Sequence, residues 1–188
     1  MFNAKTFDGF LSSEQCQYLI QTAVRSNLWE SGGSEFWDNR TINYSKLIGF
    51  DRTAADIMLE ANVRCKVAIK EAYGLDKDVY SDTLQVIRWF EGMSQPPHAD
   101  DMSNTDIQGF DHRVFGSIIY LNADYLGGHT YYPNFGTEVV PAVGKLAVHP
   151  GDPEHLHGVT TIENGTRYTI ASFWTFNKEK SHDWSVYK

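Results

Sequence analysis

His98-Ala99-Asp100 sets an imidazole and a carboxylate two residues apart. In an extended segment residues i and i+2 project from one face, so both groups can converge on one metal ion. Pro96 and Pro97 stand just upstream. Prolines cannot donate ladder hydrogen bonds, which places the pair at a strand edge or at the mouth of a sheet. Two histidines and one carboxylate on one face leave three coordination positions open, the arrangement of non-haem Fe(II) oxygenases. Alone, the pair is a weak signal, because polar residues flanking an alanine are common. A third ligand must come from elsewhere.

The C-terminal part of the chain offers one. His157 opens an extended run, Glu163-Asn164-Gly165 makes a turn, and Arg167 opens the return strand. A three-residue hairpin loop with a left-handed glycine pairs Ile162 with Thr166, Thr161 with Arg167 and His157 with Ala171. His157, Thr161, Arg167, Ala171 and Phe173 then share a face. A two-residue Asn-Gly turn would instead set His157 and Arg167 on opposite faces. Given the shared face, Arg167 carries a permanent charge inside the sheet structure, and a buried guanidinium needs an anionic partner. A dicarboxylate would supply one. His155 rivals His157, having the same parity two residues away. His157 is preferred because only it carries both the following Val159 and the ten-residue offset to Arg167. His112, His129 and His149 are expected at the surface or as supports behind the ligands, and Asp101 as a solvated neighbour of Asp100.

The elements that must position these residues fall into two blocks. Ser12 reads as a helix N-cap, with Gln15 three residues on and Leu11 placed to staple onto Cys16. Cys16, Leu19, Ile20, Ala23 and Val24 follow helical spacing. A second helix is expected from near Thr53, with a stripe of Ala54, Ile57, Ala61, Cys65, Ala68, Ile69 and Ala72 and a stop at Gly74. Between them, residues 30–45, with Gly32 and Gly33 beside Phe36, Trp37 and Tyr44, read either as a mobile loop able to close over a bound peptide or as a static connection between helix and strand. Trp29, Phe36 and Trp37 could line a groove or simply pack. From residue 82 the period changes to two, with strands expected at 82–90, 114–122, 128–132, 137–140, 145–149, 156–162 and 166–176. Many short strands at that spacing suggest a sandwich or barrel-like jelly roll. The fold class is α+β, with helices buttressing one sheet.

Bulk properties exclude several classes. The 188 residues suit one domain, 41% of them hydrophobic, which argues against disorder. A net charge of −8 without basic runs weighs against nucleic-acid binding, which needs cations to displace phosphate counterions. No signal peptide or membrane-spanning stretch is expected, so the chain reads as cytoplasmic, with Cys16 and Cys65 reduced and packed.

The chain resembles the prolyl-4-hydroxylase-type members of the Fe(II)/2-oxoglutarate-dependent dioxygenase superfamily. Phe7-Asp8-Gly9-Phe10-Leu11-Ser12-Ser13-Glu14-Gln15-Cys16 is similar to the family's opening strand and helix. His98-Ala99-Asp100 matches its proximal ligands, and Arg113 with Ile118-Ile119-Tyr120-Leu121-Asn122 resembles the strand that follows. Gly127-Gly128-His129-Thr130 resembles a Gly-Gly-Glu-Thr element, with His129 replacing the acid. His157-Gly158-Val159 and Gly165-Thr166-Arg167-Tyr168 match the distal ligand and the carboxylate anchor. The resemblance implies a double-stranded β-helix over 81–178, helical support over 1–80 packed on the outside of one sheet, and a single domain over 1–188. It implies Fe(II) on His98, Asp100 and His157. It also implies 2-oxoglutarate against Arg167, Tyr120 and Trp89, and O2 as second cosubstrate. Ascorbate is an accessory reductant the family uses. Trp89 stands where the family usually has a tyrosine, and Phe173, with Trp174 next, where it often has a tryptophan. Arg113, Trp37 and Phe173 are expected at the substrate. That substrate is expected to be a prolyl residue in a peptide or protein, with succinate and carbon dioxide as co-products. The alternatives are the same chemistry on a free amino acid or small metabolite, or a metal-binding jelly roll without turnover. No nucleic-acid or membrane partner is expected.

Overall fold

The helical third of the chain begins with a cap that its own sequence dictates. In the computed structural model, which describes residues 4–31, 34–101 and 109–187, helix α1 (Ser13–Arg25) starts at Ser12. The Ser12 hydroxyl accepts from the Gln15 backbone N–H, and the Gln15 side chain accepts in return from Ser12 N–H. Cys16, Leu19 and Ala23 are buried as the spacing requires. Val24 is not: it is exposed, and Thr22 takes the buried position because its hydroxyl reaches Asp51. Asp51, rather than a residue near Thr53, caps helix α3 (Arg52–Tyr73), accepting from Ala54 N–H. The same carboxylate receives Tyr18, Thr22 and Arg25 from α1, so one side chain both caps a helix and ties two helices together. Met58 and Asn62 join the buried face of α3, whereas Ile57, Ala68 and Ala72 are only half-buried. Asn62 is tolerated there because Ser81 and Ser172 satisfy its amide. Gly74, at φ 60°, ends the helix as its position predicts.

The end of the 30–45 stretch is regular structure. Gly32 and Gly33 lie outside the described residues. Thr41–Asn43 forms strand β2 and Tyr44–Phe50 forms helix α2, with Tyr44 and Leu47 fully buried. Burial of those two side chains, which periodicity over so short a run cannot reveal, holds the segment down.

The remaining strands are β1 (Lys5–Phe7), β3 (Tyr80–Ser81), β4 (Gln85–Phe90), β5 (Gln95–His98), β6 (Phe115–Tyr120) and β7 (Leu126–Gly127). They continue with β8 (Thr130–Tyr132), β9 (Thr137–Val139), β10 (Leu146–Pro150), β11 (His157–Val159), β12 (Ile162–Asn164) and β13 (Thr166–Thr175). The larger sheet runs β1-β10-β6-β13-β4-β2, with β3 on one end of β13. The smaller runs β5-β11-β8-β9, and β12 pairs with β7. All pairings are antiparallel. Alternation divides the larger sheet. Val86, Ile119, Val148, Ile170 and Trp174 share a core with α1, α2 and α3, while Ile87, Trp89, Ala171, Tyr120 and Ala147 pack between the sheets. The helices therefore cover one face and leave the other to a site.

The expected hairpin is the main correction. β12 ends at the turn around Gly165, at φ 84°, but β11 and β12 do not pair with β13. His157 stands opposite His98, and Ala171 opposite Gln85 and Ile118. The turn carries the chain from one sheet to the other, so His157 and Arg167 approach across the space between sheets, not along one face.

Candidate active site

Strands β5 and β11 place the two histidines side by side. His98 and His157 are register partners with ring centroids 4.5 Å apart. Each turns Nδ1 toward a backbone carbonyl two residues earlier, His98 to Pro96 at 3.1 Å and His157 to His155 at 3.2 Å. A ring that donates Nδ1–H leaves Nε2 as the available ligand atom. Asp100, 3% exposed, sets Oδ1 3.6 Å from His157 Nε2. The three residues offer ligand atoms within 4.8 Å of one another, the only such group of three or more among the described residues. Burial and the nearby His149 push His157 down to about 3, so it is neutral at neutral pH. Burial pushes the Asp100 carboxyl up, but His157, the hydrogen bond to His149 and His98 outweigh it and hold it well below the usual carboxylate range. A neutral imidazole and an ionised carboxylate are the protonation states a divalent cation takes.

The same cavity holds Arg167 from β13 and Trp89, its register partner on β4. The Arg167 guanidinium lies 5.5 Å from the Trp89 ring centre and 5.2 Å from that of Tyr120. Its Nη2 is 3.5 Å from Thr130 Oγ1, which shares a 2.6 Å hydrogen bond with the Tyr120 hydroxyl. Arg167 is 2% exposed, and among the described residues no carboxylate pairs with it. Its Nε and the Trp89 indole N–H are buried without partners. Such donors are costly to leave unmatched, and they are suited to an anionic ligand. Ile87, Val159 and Ala171 add apolar surface to the lining.

Outward from His98 and Asp100 a groove opens between Trp37, Phe110, Arg113 and Phe173. Arg113 stands just before β6. Its guanidinium lies 3.8 Å from the Phe173 ring centre, and its Nε is 2.8 Å from Asp82. The three side chains expected at the substrate, Arg113, Trp37 and Phe173, thus line one groove. Trp29 does not join them; it packs under Arg88.

Sequence reasoning missed Arg40. It is 1% exposed and lies 3.9, 4.4 and 4.8 Å from the ring centres of Trp89, Phe36 and Trp37. Its Nη1 donates to Phe36 O and its Nε to Arg88 O. Burial, with the charge of Arg167 nearby, pushes it down to about 10. Arg40 thereby pins Phe36 and Trp37 onto Trp89, the wall of the site. Arg40→Ala removes three cation–ring contacts, each about 0.5–2 kcal/mol, and should expose the bond between Phe36 and Trp37. Limited proteolysis should then cut there faster than in the parent, and an unchanged cleavage rate would mean the rings hold without it.

Of the other histidines, His112 pairs with Asp82 and His129 with Glu138. His155 turns Nδ1 to Asp152 and stands outside the cluster, contributing only its carbonyl to His157. His149 is fully buried against Asp100.

No family model matches the chain. Prolyl 3-hydroxylase 3 of Mus musculus is 25% identical over 96% of this chain and 30% of its own length. Probable prolyl 4-hydroxylase 6 of Arabidopsis thaliana is 26% identical over 93% of this chain and 70% of its own. The chain is thus similar in sequence to prolyl hydroxylases. Solved structures share its fold. The viral collagen prolyl hydroxylase of Paramecium Bursaria Chlorella virus-1, in its 2OG complex, superposes with a TM-score of 0.70 at 19% identity, covering 92% of this chain and 95% of that one. A Trichoplax adhaerens prolyl hydroxylase with a hypoxia inducible factor peptide also gives 0.70, at 18% identity over 96% and 86%. Among the described residues, no helix is long and apolar enough to cross a membrane.

Proposed function

We propose that this chain is an Fe(II)- and 2-oxoglutarate-dependent dioxygenase of the prolyl 4-hydroxylase type, hydroxylating a prolyl residue in a peptide or protein. The observation that carries the reading is the buried Arg167 guanidinium. It has no anion from the described residues and faces the cavity that holds His98, Asp100 and His157. The donor set fits Fe(II), since two imidazoles and one carboxylate leave positions for a chelating cosubstrate. The unmatched Arg167 Nε and Trp89 indole N–H fit a carboxylate. Iron bound there would supply the oxygen activation that couples decarboxylation of 2-oxoglutarate, to succinate and carbon dioxide, with insertion of oxygen into a C–H bond.

The protein's own residues do the rest. His98, Asp100 and His157 bind the ion. Arg167 fixes the cosubstrate's direction by a guanidinium fork on its far carboxylate, with Trp89 and Tyr120 beside it. Ile87, Val159 and Ala171 exclude water. Trp37, Arg113 and Phe173 offer an extended chain a half-aromatic groove leading to the metal ligands. The fold in this reading is a double-stranded β-helix forming one domain over 1–188, and the compartment is the cytoplasm, where the buried Cys16 and Cys65 remain thiols.

The test is an anaerobic titration with Fe(II) and 2-oxoglutarate, followed by air and a library of proline-containing peptides. A metal-to-cosubstrate charge-transfer band is expected, then succinate matched to peptides carrying one added oxygen atom. A band and succinate with no modified peptide would keep the chemistry and reject the prolyl substrate; no band would reject both.

A further inference from the structure

We propose that His149 is a positioning residue for the metal-binding carboxylate, holding Asp100 by Oδ2 so that Oδ1 is left for the ion. This rests on the reading of His98, Asp100 and His157 as metal ligands. His149 lies on β10 and is 1% exposed. Its Nε2 is 3.2 Å from Asp100 Oδ2, and its Nδ1 is 3.0 Å from the Tyr132 hydroxyl. An ionised carboxylate only accepts, so Nε2 must carry the proton in that contact. Nδ1 is left to the hydroxyl of the fully buried Tyr132, so both ring nitrogens are engaged and the ring is held from two sides.

The two carboxylate oxygens are consequently divided. Oδ2 is taken by His149, while Oδ1 faces His157 Nε2 at 3.6 Å. The His149 ring centre lies 4.0 Å from that of His157, the two planes tilted by 45°, yet His149 does not belong to the convergent ligand group.

The neighbouring strand makes room for this contact. Gly116 on β6 is the register partner of His149. A Cβ at Gly116 would sit 2.2 Å from Asp100 Oδ2 and 2.5 Å from His149 Nε2. Any side chain there would wedge between the two groups. A histidine that merely filled space would need neither an unsubstituted backbone opposite it nor a donor aimed at a ligand. Groups that orient a metal ligand from behind contribute roughly 10–100-fold to metal affinity.

The experiment is an anaerobic Fe(II) titration against a competing chelator, with the Co(II) absorption spectrum as a second readout. It uses the full chain, His149→Phe, His149→Gln and His149→Asn, with His98→Ala as the ligand control. The Gln amide nitrogen can reach the position of Nε2 and donate to Asp100; the Asn amide reaches only that of Nδ1. Phe and Asn should bind Fe(II) roughly 10–100-fold more weakly, with an altered Co(II) spectrum, while Gln stays close to the parent. The Gln and Asn pair keeps the test decisive if Phe fails to fold. Equal affinity in Asn and the parent overturns the proposal, as does a Gln variant as weak as Asn. A parent that binds no ion overturns the metal-site reading and this inference together. A parent that binds, and loses binding only in His98→Ala, overturns this inference alone.

Discussion

In Arg167→Ala, the Michaelis constant for 2-oxoglutarate is expected to rise tens- to thousands-fold. Truncating one partner of a buried charged hydrogen-bonded pair costs about 2–5 kcal/mol, and the cosubstrate carboxylate would be left against Trp89 and Tyr120. Arg167→Lys should keep part of the activity, because an ammonium retains charge without the fork. Stability separates this from simple damage. In the free protein the guanidinium is buried with its Nε unmatched, so Arg167→Met should melt no lower than the parent. The parent, loaded with inert Mn(II), should instead gain about 2.7 kcal/mol at 2-oxoglutarate a hundredfold above its dissociation constant. The Met variant should gain far less. An Arg167→Ala enzyme with unchanged cosubstrate affinity, or a Met variant stabilised by 2-oxoglutarate as the parent is, would remove Arg167 from the cosubstrate site.

What could be read from the chain in advance was local. His98 and Asp100 lie two apart on one extended segment, and the Ser12–Gln15 box closes within one turn, so a short window contains both halves of each. Arg167 and His157 line one cavity, but not through the hairpin that parity implies: β11 pairs with β5 and β8 while β13 pairs with β3, β4 and β6, and only long-range register decides that. His149 was hidden for a related reason. Leu146–Pro150 is buried at every position, so no alternation marks which side chains face the site, and Gly116 gains its meaning only from the strand beside it. Arg40 had no local signal at all. It precedes β2 by one residue, and its three aromatic contacts come from Phe36, Trp37 and the distant Trp89.

His157→Ala, Asp100→Ala and His98→Ala should each abolish Fe(II) uptake and turnover, while His155→Ala should leave both nearly intact. The two histidines are two residues apart with equal parity, so their environments must distinguish them. His157 donates Nδ1–H to the carbonyl of residue 155 and turns Nε2 toward Asp100. That carbonyl belongs to the backbone and survives His155→Ala. The His155 ring instead engages Asp152 through Nδ1 at 2.9 Å and lies against Phe135, away from the ligand group. Asp100→Asn is the sharper control for Asp100. It keeps the shape and a partner for His149 but removes the charge that a divalent ion needs. Its free form should melt near the parent, yet it should bind no iron. Calorimetric titration with Fe(II) under argon, with melting of each free form alongside, reads both effects. If His155→Ala loses the ion and His157→Ala retains it, the ligand assignment is wrong. If the His98, Asp100 and His157 variants all bind as the parent does, the cavity holds no metal on these residues.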